Sequence, residues 1–258
     1  MDIITRTVEQ VRQLSQQEDA CLVSFSGGKD SLVVAHLARQ HFKKVVGFFF
    51  YFAPGLRCDA ERLAIADEWK IELLHYPAQN FIEALRKGVY GFRNQLKGTL
   101  PSFGQKDIYA LARMDTGLKL ILTGMKRCDS LVRKRMLTKY TGKNVFHPLM
   151  DWANFDVLAY LKLKGIPVPP SPKGKRSWGT DLLYDSLLYL YENFPDDFQK
   201  ICAWFPFAQA VIFREKWFWG WQGNGKWIDP ASGAEHTGHG GNGTVPVRQI
   251  LPADHPPA

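Results

Sequence analysis

The spacing of apolar positions changes along the chain. Ile4, Val8, Val11 and Leu14 recur every three or four residues among polar ones, which predicts an opening amphipathic helix. Residues 20–25, ACLVSF, form a short apolar run suited to a buried strand. Leu32, Val33, Val34, Leu37 and Ala38 return to helical spacing. KVVGFFF, residues 44–50, is β-branched and aromatic and predicts a second buried strand. Helices are predicted over 63–69, 81–89 and 108–114, with strands over 71–74 and 118–122. Continuous apolar runs alternating with helices predict a parallel sheet covered on both faces and connected by right-handed crossovers. Beyond Phe146 a helix is predicted over 154–163, stopped by Gly165 with Pro167 following. A proline- and lysine-rich connector occupies 168–180, and helices are predicted over 182–191 and 198–213. From residue 222 the chain is rich in Gly, Pro, Asn, His and Thr, too polar to bury much surface. The expected organisation is an α/β domain over 1–170, an aromatic-rich helical extension over 171–221 packed on it, and a flexible tail over 222–258.

Composition narrows this picture modestly. The 258 residues are 45% hydrophobic, enough for a sizeable core. Lysine and arginine outnumber aspartate and glutamate by 33 to 25, a formal charge of +8 that favours an anionic partner. Cys21, Cys58, Cys128 and Cys202 form no C-x-x-C pair, which argues against a zinc ribbon or a dithiol redox centre. The opening residues Met1–Arg6 show no basic segment leading into an apolar core, and no apolar run approaches membrane-spanning length. The expectation is a cytoplasmic chain with no membrane partner.

The chemistry concentrates where strands end, since ligands of parallel sheets sit at the carboxyl ends of the strands. Residues 24–31 read SFSGGKDS and follow the first predicted strand directly. Two glycines there let the backbone turn sharply and approach a ligand closely. The amides of such a turn and of the helix behind it make an anion site. Lys29 adds a positive charge, Ser26 and Ser31 add hydroxyls, and Asp30 stands where it can hold Mg2+ beside phosphates. A Walker A loop is excluded because Lys29 is followed by Asp30 and Val23 stands five residues before Gly28. The G-x-G-x-x-G pattern fails as well.

The run Ser26-Gly27-Gly28-Lys29-Asp30-Ser31 resembles the SGGxDS loop of the PP-loop ATP pyrophosphatase superfamily. A second stretch, Thr123-Gly124-Met125-Lys126-Arg127-Cys128-Asp129-Ser130-Leu131-Val132-Arg133, resembles the T-G-x-R-R-x-x-S-x-x-R segment of the phosphoadenylyl-sulfate (PAPS) reductase group within it. Lys126 departs from that pattern, standing where the first arginine is usual. A third stretch, His147-Pro148-Leu149-Met150-Asp151-Trp152 continuing to Gly165-Ile166-Pro167, is similar to the group's P-L-x-D-W…G-I-P segment. It reads mainly as architecture, with Asp151 capping or orienting a helix.

The resemblance covers about two thirds of the chain. It implies a three-layer α/β sandwich with a mostly parallel twisted sheet, of the adenine nucleotide alpha hydrolase-like type. It implies ATP or PAPS as the bound nucleotide, with Mg2+ at Asp30. Lys29, Asp30, Arg127 and Arg133 become the catalytic candidates. Gly124, Lys126 and Ser130 join the glycine loop in nucleotide binding, and Ser24, Phe25, Phe50 and Tyr51 border the adenine. The Glu-Cys-Gly-x-His segment that carries the reductases' nucleophilic thiol has no counterpart, and neither do the cysteine pairs of an iron–sulfur cluster. Three functions stay open. The leading one is cleavage of ATP between the α- and β-phosphates with adenylyl transfer to an unknown anionic acceptor. The second is PAPS or adenylyl-sulfate reduction with an external thiol. The third is a non-catalytic module that binds nucleotide or nucleic acid, nucleic acid being the less favoured partner. Lys173, Lys175, Arg176 and Trp178 stand in the connector, and Trp217, Trp219 and Trp221 suggest a face for a protein partner or a second copy. His236 and His239 lack the companions a zinc site needs.

Overall fold

The computed structural model describes residues 2–91, 100–139, 144–167 and 180–214, together with the backbone of 226–228 and 235–237. Residues 168–179 of the lysine-rich connector and the Trp217–Trp221 cluster lie outside the described residues, as does His239. The chain divides into two compact units, Met1–Ala208 and Gln209–Ala258.

The first unit opens with α1 (Ile3–Gln17), β1 (Ala20–Ser24), α2 (Lys29–His41), β2 (Lys44–Tyr51), α3 (Arg57–Glu68) and β3 (Glu72–Pro77). It continues with α4 (Gln79–Lys87), α5 (Gln105–Thr116), β4 (Ile121–Leu122), a 3-10 turn at Arg127–Asp129, α6 (Leu131–Lys139), β5 (Val145–Phe146) and α7 (Asn154–Leu163). Two further helices, α8 (Tyr184–Asn193) and α9 (Pro195–Trp204), follow before α10 (Ala208–Phe213). The second unit contains an antiparallel hairpin, β6 (Lys226–Ile228) and β7 (Glu235–Thr237), in which Trp227 pairs with His236.

All five strands of the main sheet are parallel, in the order β3-β2-β1-β4-β5. Side chains alternate across it. Cys21, Val23, Phe49 and Leu122 face a core shared with α2, Leu63 and Ala66 of α3, and Val157, Tyr160 and Leu161 of α7. Leu22, Val46, Phe48 and Ile121 face the other way, onto Ile108, Tyr109 and Ala112 of α5. Helices therefore cover both faces, and the expected three-layer α/β sandwich is what forms. The crossovers β1-α2-β2 and β2-α3-β3 run outward on one side, and the chain then returns through α5 to lay β4 on the other side of β1. The direction of winding reverses between β1 and β4. A reversal of this kind opens a crevice at the carboxyl ends of the two strands, and the loops that leave them line it.

Several boundaries differ from the sequence expectation for identifiable reasons. The run 118–122 contributes only Ile121–Leu122 as strand, paired in register with the two residues of β5. The helix expected over 198–213 is broken at Phe205 (φ −130°, ψ 74°), because Pro206 forces the preceding residue out of helical geometry. Helix α3 begins at Arg57 rather than 63 because Asp197 of α9 accepts hydrogen bonds from Arg57 N and Cys58 N, both at 2.8 Å. Asp197 is 1% exposed, so the C-terminal helices supply a buried cap for the middle of the domain. Among the described residues no helix is long and apolar enough to cross a membrane.

Candidate functional site at the winding reversal

Strand β1 delivers residues 25–28 to the crevice. Gly27 has φ +68°, a left-handed conformation, and a Cβ placed on it would stand 2.5 Å from the backbone oxygen of Arg62 in α3. Both conditions demand glycine. The two serines brace the loop: Ser31 Oγ donates to Gly28 O at 2.9 Å and accepts from Ser26 N at 3.2 Å, and Gly28 N donates to Ser26 Oγ at 3.3 Å. Gly28 is the N-cap of α2 and supplies no side-chain cap. The amides of Gly27, Lys29 and Asp30 make no hydrogen bond to any described residue. The 13-residue helix α2 therefore presents an uncapped, positively polarised end.

Strand β4 delivers the second loop. A Cβ on Gly124 would lie 3.1 Å from the Cβ and carbonyl carbon of Asp30, so the two loops touch backbone to backbone. Lys126 has no solvent exposure, and its ammonium bonds Asp30 Oδ1 and lies 3.1 Å from Asp129 Oδ1. Lys29 holds Asp30 Oδ2 at 2.8 Å, and Arg133 holds Asp129 Oδ2 at 2.6 Å. The result is a line of alternating charges, Lys29–Asp30–Lys126–Asp129–Arg133, across the crevice floor. Burial pushes the Asp129 carboxyl up, but Lys126 and Arg133 outweigh it and hold the carboxyl below its ordinary range.

The segment after β5 cradles the second loop. Arg127 N donates to Met150 O at 2.9 Å, the Cys128 thiol donates to Trp152 O at 3.3 Å, and Thr123 Oγ1 and His147 Nδ1 share a hydrogen bond of 2.6 Å. On the α5 side, a cavity of about 420 Å³ is lined by Phe50, Ala78, Gln79, Asn80, Glu83, Gln105 and Ile108.

Residues 20–171 match the family described as the phosphoadenosine phosphosulfate reductase domain, more than half of the chain. The chain belongs to that family. Members of this PP-loop family are adenine-nucleotide enzymes. Among solved structures the chain is similar to NH3-dependent NAD synthetase from Campylobacter jejuni subsp. jejuni NCTC 11168, solved with a nitrate ion. That similarity has 15% identity and a TM-score of 0.43, covering 83% of this chain and 97% of the other. A comparison with curated proteins returns no match.

Within the phosphoadenosine phosphosulfate reductase domain, the candidates read from sequence fall into three groups. Gly27, Gly28, Lys29, Asp30, Gly124 and Lys126 come together where the two loops touch, Arg133 joins them through Asp129, and Arg127 bonds Asp151 instead. Ser26 and Ser31 are there too, but their hydroxyls hold the loop itself. Ser130 caps α6 locally, accepting from Arg133 N at 3.1 Å. Of the adenine-side candidates, Phe25 is 1% exposed and belongs to the core on the α2 side, whereas Phe50 lines the cavity. Ser24 and Tyr51 are half-buried at the strand ends. Lys126 is a buried crosslink between loops, not a surface cation.

The Mg2+ that the resemblance attaches to Asp30 does not fit the donor set. Both oxygens of Asp30 are ion-paired to lysines, both oxygens of Asp129 to Lys126 and Arg133, and no cluster of three acidic, His or Cys ligands exists among the described residues. Sequence reasoning missed Asp129, Arg62 and Thr7. Asp129 was signalled by its i,i+4 spacing to Arg133. Arg62, which backs Gly27 and lies 5.3 Å from the ring centre of Phe49, was signalled only by its i,i+3 spacing to Asp59, which it bonds at 2.5 Å. Thr7 Oγ1 accepts the indole N–H of Trp152 at 2.8 Å.

Proposed function

We propose that the chain binds ATP, or a close adenine nucleotide, with its phosphates on the 26–31 loop, and transfers the adenylyl group to an acceptor oxygen. In that step a lone pair of the acceptor forms the new bond to the α-phosphorus. The bond from that phosphorus to the bridging oxygen breaks, and pyrophosphate leaves with the electron pair. Catalysis then requires positive potential where the leaving group gathers charge. Lys29 and the amides of Gly27, Lys29 and Asp30 are suited to the pyrophosphate. Arg127 and Arg133 are suited to the pentavalent centre or to an anionic acceptor.

The observation that carries this reading is the uncapped N-terminus of α2 beside Lys29 at the winding reversal. The cysteines favour it over sulfonyl reduction by the chain's own thiol. Burial pushes the Cys21 thiol far up and the Cys58 thiol up to about 12, Asp59 and Asp197 adding to the latter. Cys202 is buried, and the Cys128 thiol donates a hydrogen bond to the backbone carbonyl of Trp152. Neither Cys21 nor Cys58 resembles an activated thiolate.

The test is to measure ATP binding by calorimetry, then pyrophosphate release from ATP in the presence of a small-metabolite extract supplying the acceptor. Lys29→Ala is expected to lower turnover by about 10²–10³, the usual effect of removing one preorganised charge-stabilising group. Sulfite release from PAPS with dithiothreitol, without turnover of ATP, would overturn the assignment in favour of a reductase with an external thiol.

A further inference from the structure

Helix α6 stands almost alone. It packs chiefly against the 3-10 turn at Arg127–Asp129, and of the side chains described in it only Leu137 is buried. A helix of nine residues with so little buried surface is marginal in water. Its charges weaken it further. Arg133 and Lys134 stand near its amino end, where the backbone already carries positive partial charge, and no acidic residue lies in the first turn. Arg135 and Lys139 are four positions apart, a spacing at which like charges destabilise a helix. Asp129 offsets Arg133 at 2.6 Å, but Lys134 and Arg135 are exposed and bond no carboxylate of a described residue.

The cations are concentrated rather than scattered. Between Ser130 and Met150 stand Arg133, Lys134, Arg135, Lys139 and Lys143, with no aspartate or glutamate among them. That stretch accounts for most of the chain's formal excess of +8. An anion seated along α6 relieves both the repulsion between its cations and their conflict with the helix dipole.

The arrangement of α6 also selects among anions. A helix made for a membrane surface gathers its apolar side chains on one face and its cations on the other. Here, at about 100° per residue, exposed Leu131 and Val132 flank Arg135, so no apolar face separates from the charge. Protein interfaces are rich in aromatic residues and poor in lysine, and α6 has no aromatic residue. The polyanion that such a surface meets through charge alone is the phosphate backbone of a nucleic acid. Sequence alone ranks nucleic acid below a small anion, and the isolation and exposure of α6 reverse that order for this surface.

We propose that α6 is a docking surface for the phosphate backbone of a nucleic-acid strand, with Lys134 and Arg135 as its contacts. Arg133 and Asp129 join the helix to the ion-pair line of the crevice, so a strand held there lies at the crevice rim. The proposal stands apart from the adenylyl-transfer reading.

The experiment follows the fluorescence anisotropy of short labelled single strands and duplexes, of RNA and of DNA, titrated with the full chain over a range of potassium chloride. Wild type is expected to bind at low salt and to weaken steeply as salt rises. Lys134→Ala/Arg135→Ala should weaken binding and lower the slope of log Kd against log salt by about 1.4 on single strands, or about 1.8 on duplexes, the counterions released by two phosphate contacts. Lys44→Ala/Lys162→Ala removes the same charge from the amino end of β2 and the last turn of α7, and should leave the slope unchanged. ATP titration of the α6 variant should match wild type. An unchanged slope in that variant, an equal fall in the Lys44/Lys162 control, or loss of ATP affinity along with the oligonucleotide overturns the proposal. Binding to phosphatidylglycerol vesicles or polyglutamate in place of oligonucleotides overturns it too. A chain that binds oligonucleotides through α6 but ignores ATP supports the docking surface and removes the adenylyl-transfer reading.

Discussion

Replacing Lys126 by methionine probes the crevice most directly. The substitution keeps most of the side-chain volume and removes a charge that has no solvent exposure and two carboxylate partners. Breaking a fully buried ion pair costs about 3–5 kcal/mol, whereas an exposed pair contributes about 0–1 kcal/mol. The case here lies between, because Asp30 keeps Lys29 at 2.8 Å, Asp129 keeps Arg133 at 2.6 Å, and the two carboxylates are 20% and 16% exposed. A loss of about 2–3 kcal/mol follows. With a urea slope of about 2 kcal/mol per molar, the unfolding midpoint drops by about 1 M. The effect carries a pH signature. The Asp129 carboxyl is depressed in the folded state, so its stabilisation is complete above the unfolded value near about 4. That stabilisation disappears as pH falls through the lower folded value. The gap between wild type and Lys126→Met, followed by circular dichroism in urea, should therefore be full at pH 7 and shrink at acid pH. Coincident midpoints at pH 7, or a gap that persists once Asp129 is protonated, would refute the crosslink.

Gly27→Ala combines a left-handed backbone with a 2.5 Å collision against Arg62 O, so it should abolish nucleotide binding and cost about 1–3 kcal/mol of stability, read by calorimetry and thermal melting. Burial raises the Asp59 carboxyl to about 6 despite Arg62, so the folded state holds its proton more tightly than the unfolded one. Stability should accordingly decline between about pH 4 and pH 6 by on the order of 2 kcal/mol, and Asp59→Asn should flatten that decline in urea titrations. In alkylation by iodoacetamide under native conditions, exposed Cys128 should react well before Cys21 and Cys58, whose thiols burial holds protonated; early loss of Cys58 would contradict its placement.

The layered fold was legible because each of the first two strands carries a continuous apolar run, a pattern that two-sided burial explains. The glycine loop was legible because its constraint is local: a turn with positive φ between a strand and a helix. The assignments of Ser26, Ser31 and Lys126 were not, since residue type announces capacity to bind an anion but not which partner takes it first. Lys126 finds Asp30 across 96 positions, and Arg57 finds its cap 140 positions away. The two-residue β5 carries too little pattern to see. The break at Phe205 was visible in Pro206 and shows that a proline outranks a favourable apolar period.

The bond from Thr7 to Trp152 bears on where the domain can be cut. The family match starts at residue 20, yet Thr7 and Val11 are enclosed and the indole of Trp152 has its acceptor in α1. A fragment trimmed to the matched boundaries would bare one flank of the layer beneath α2 and α7. It would also strand a tryptophan proton directly behind the turn that carries Arg127. The first seventeen residues therefore belong with the domain's folding unit, and shortened expression forms should retain them.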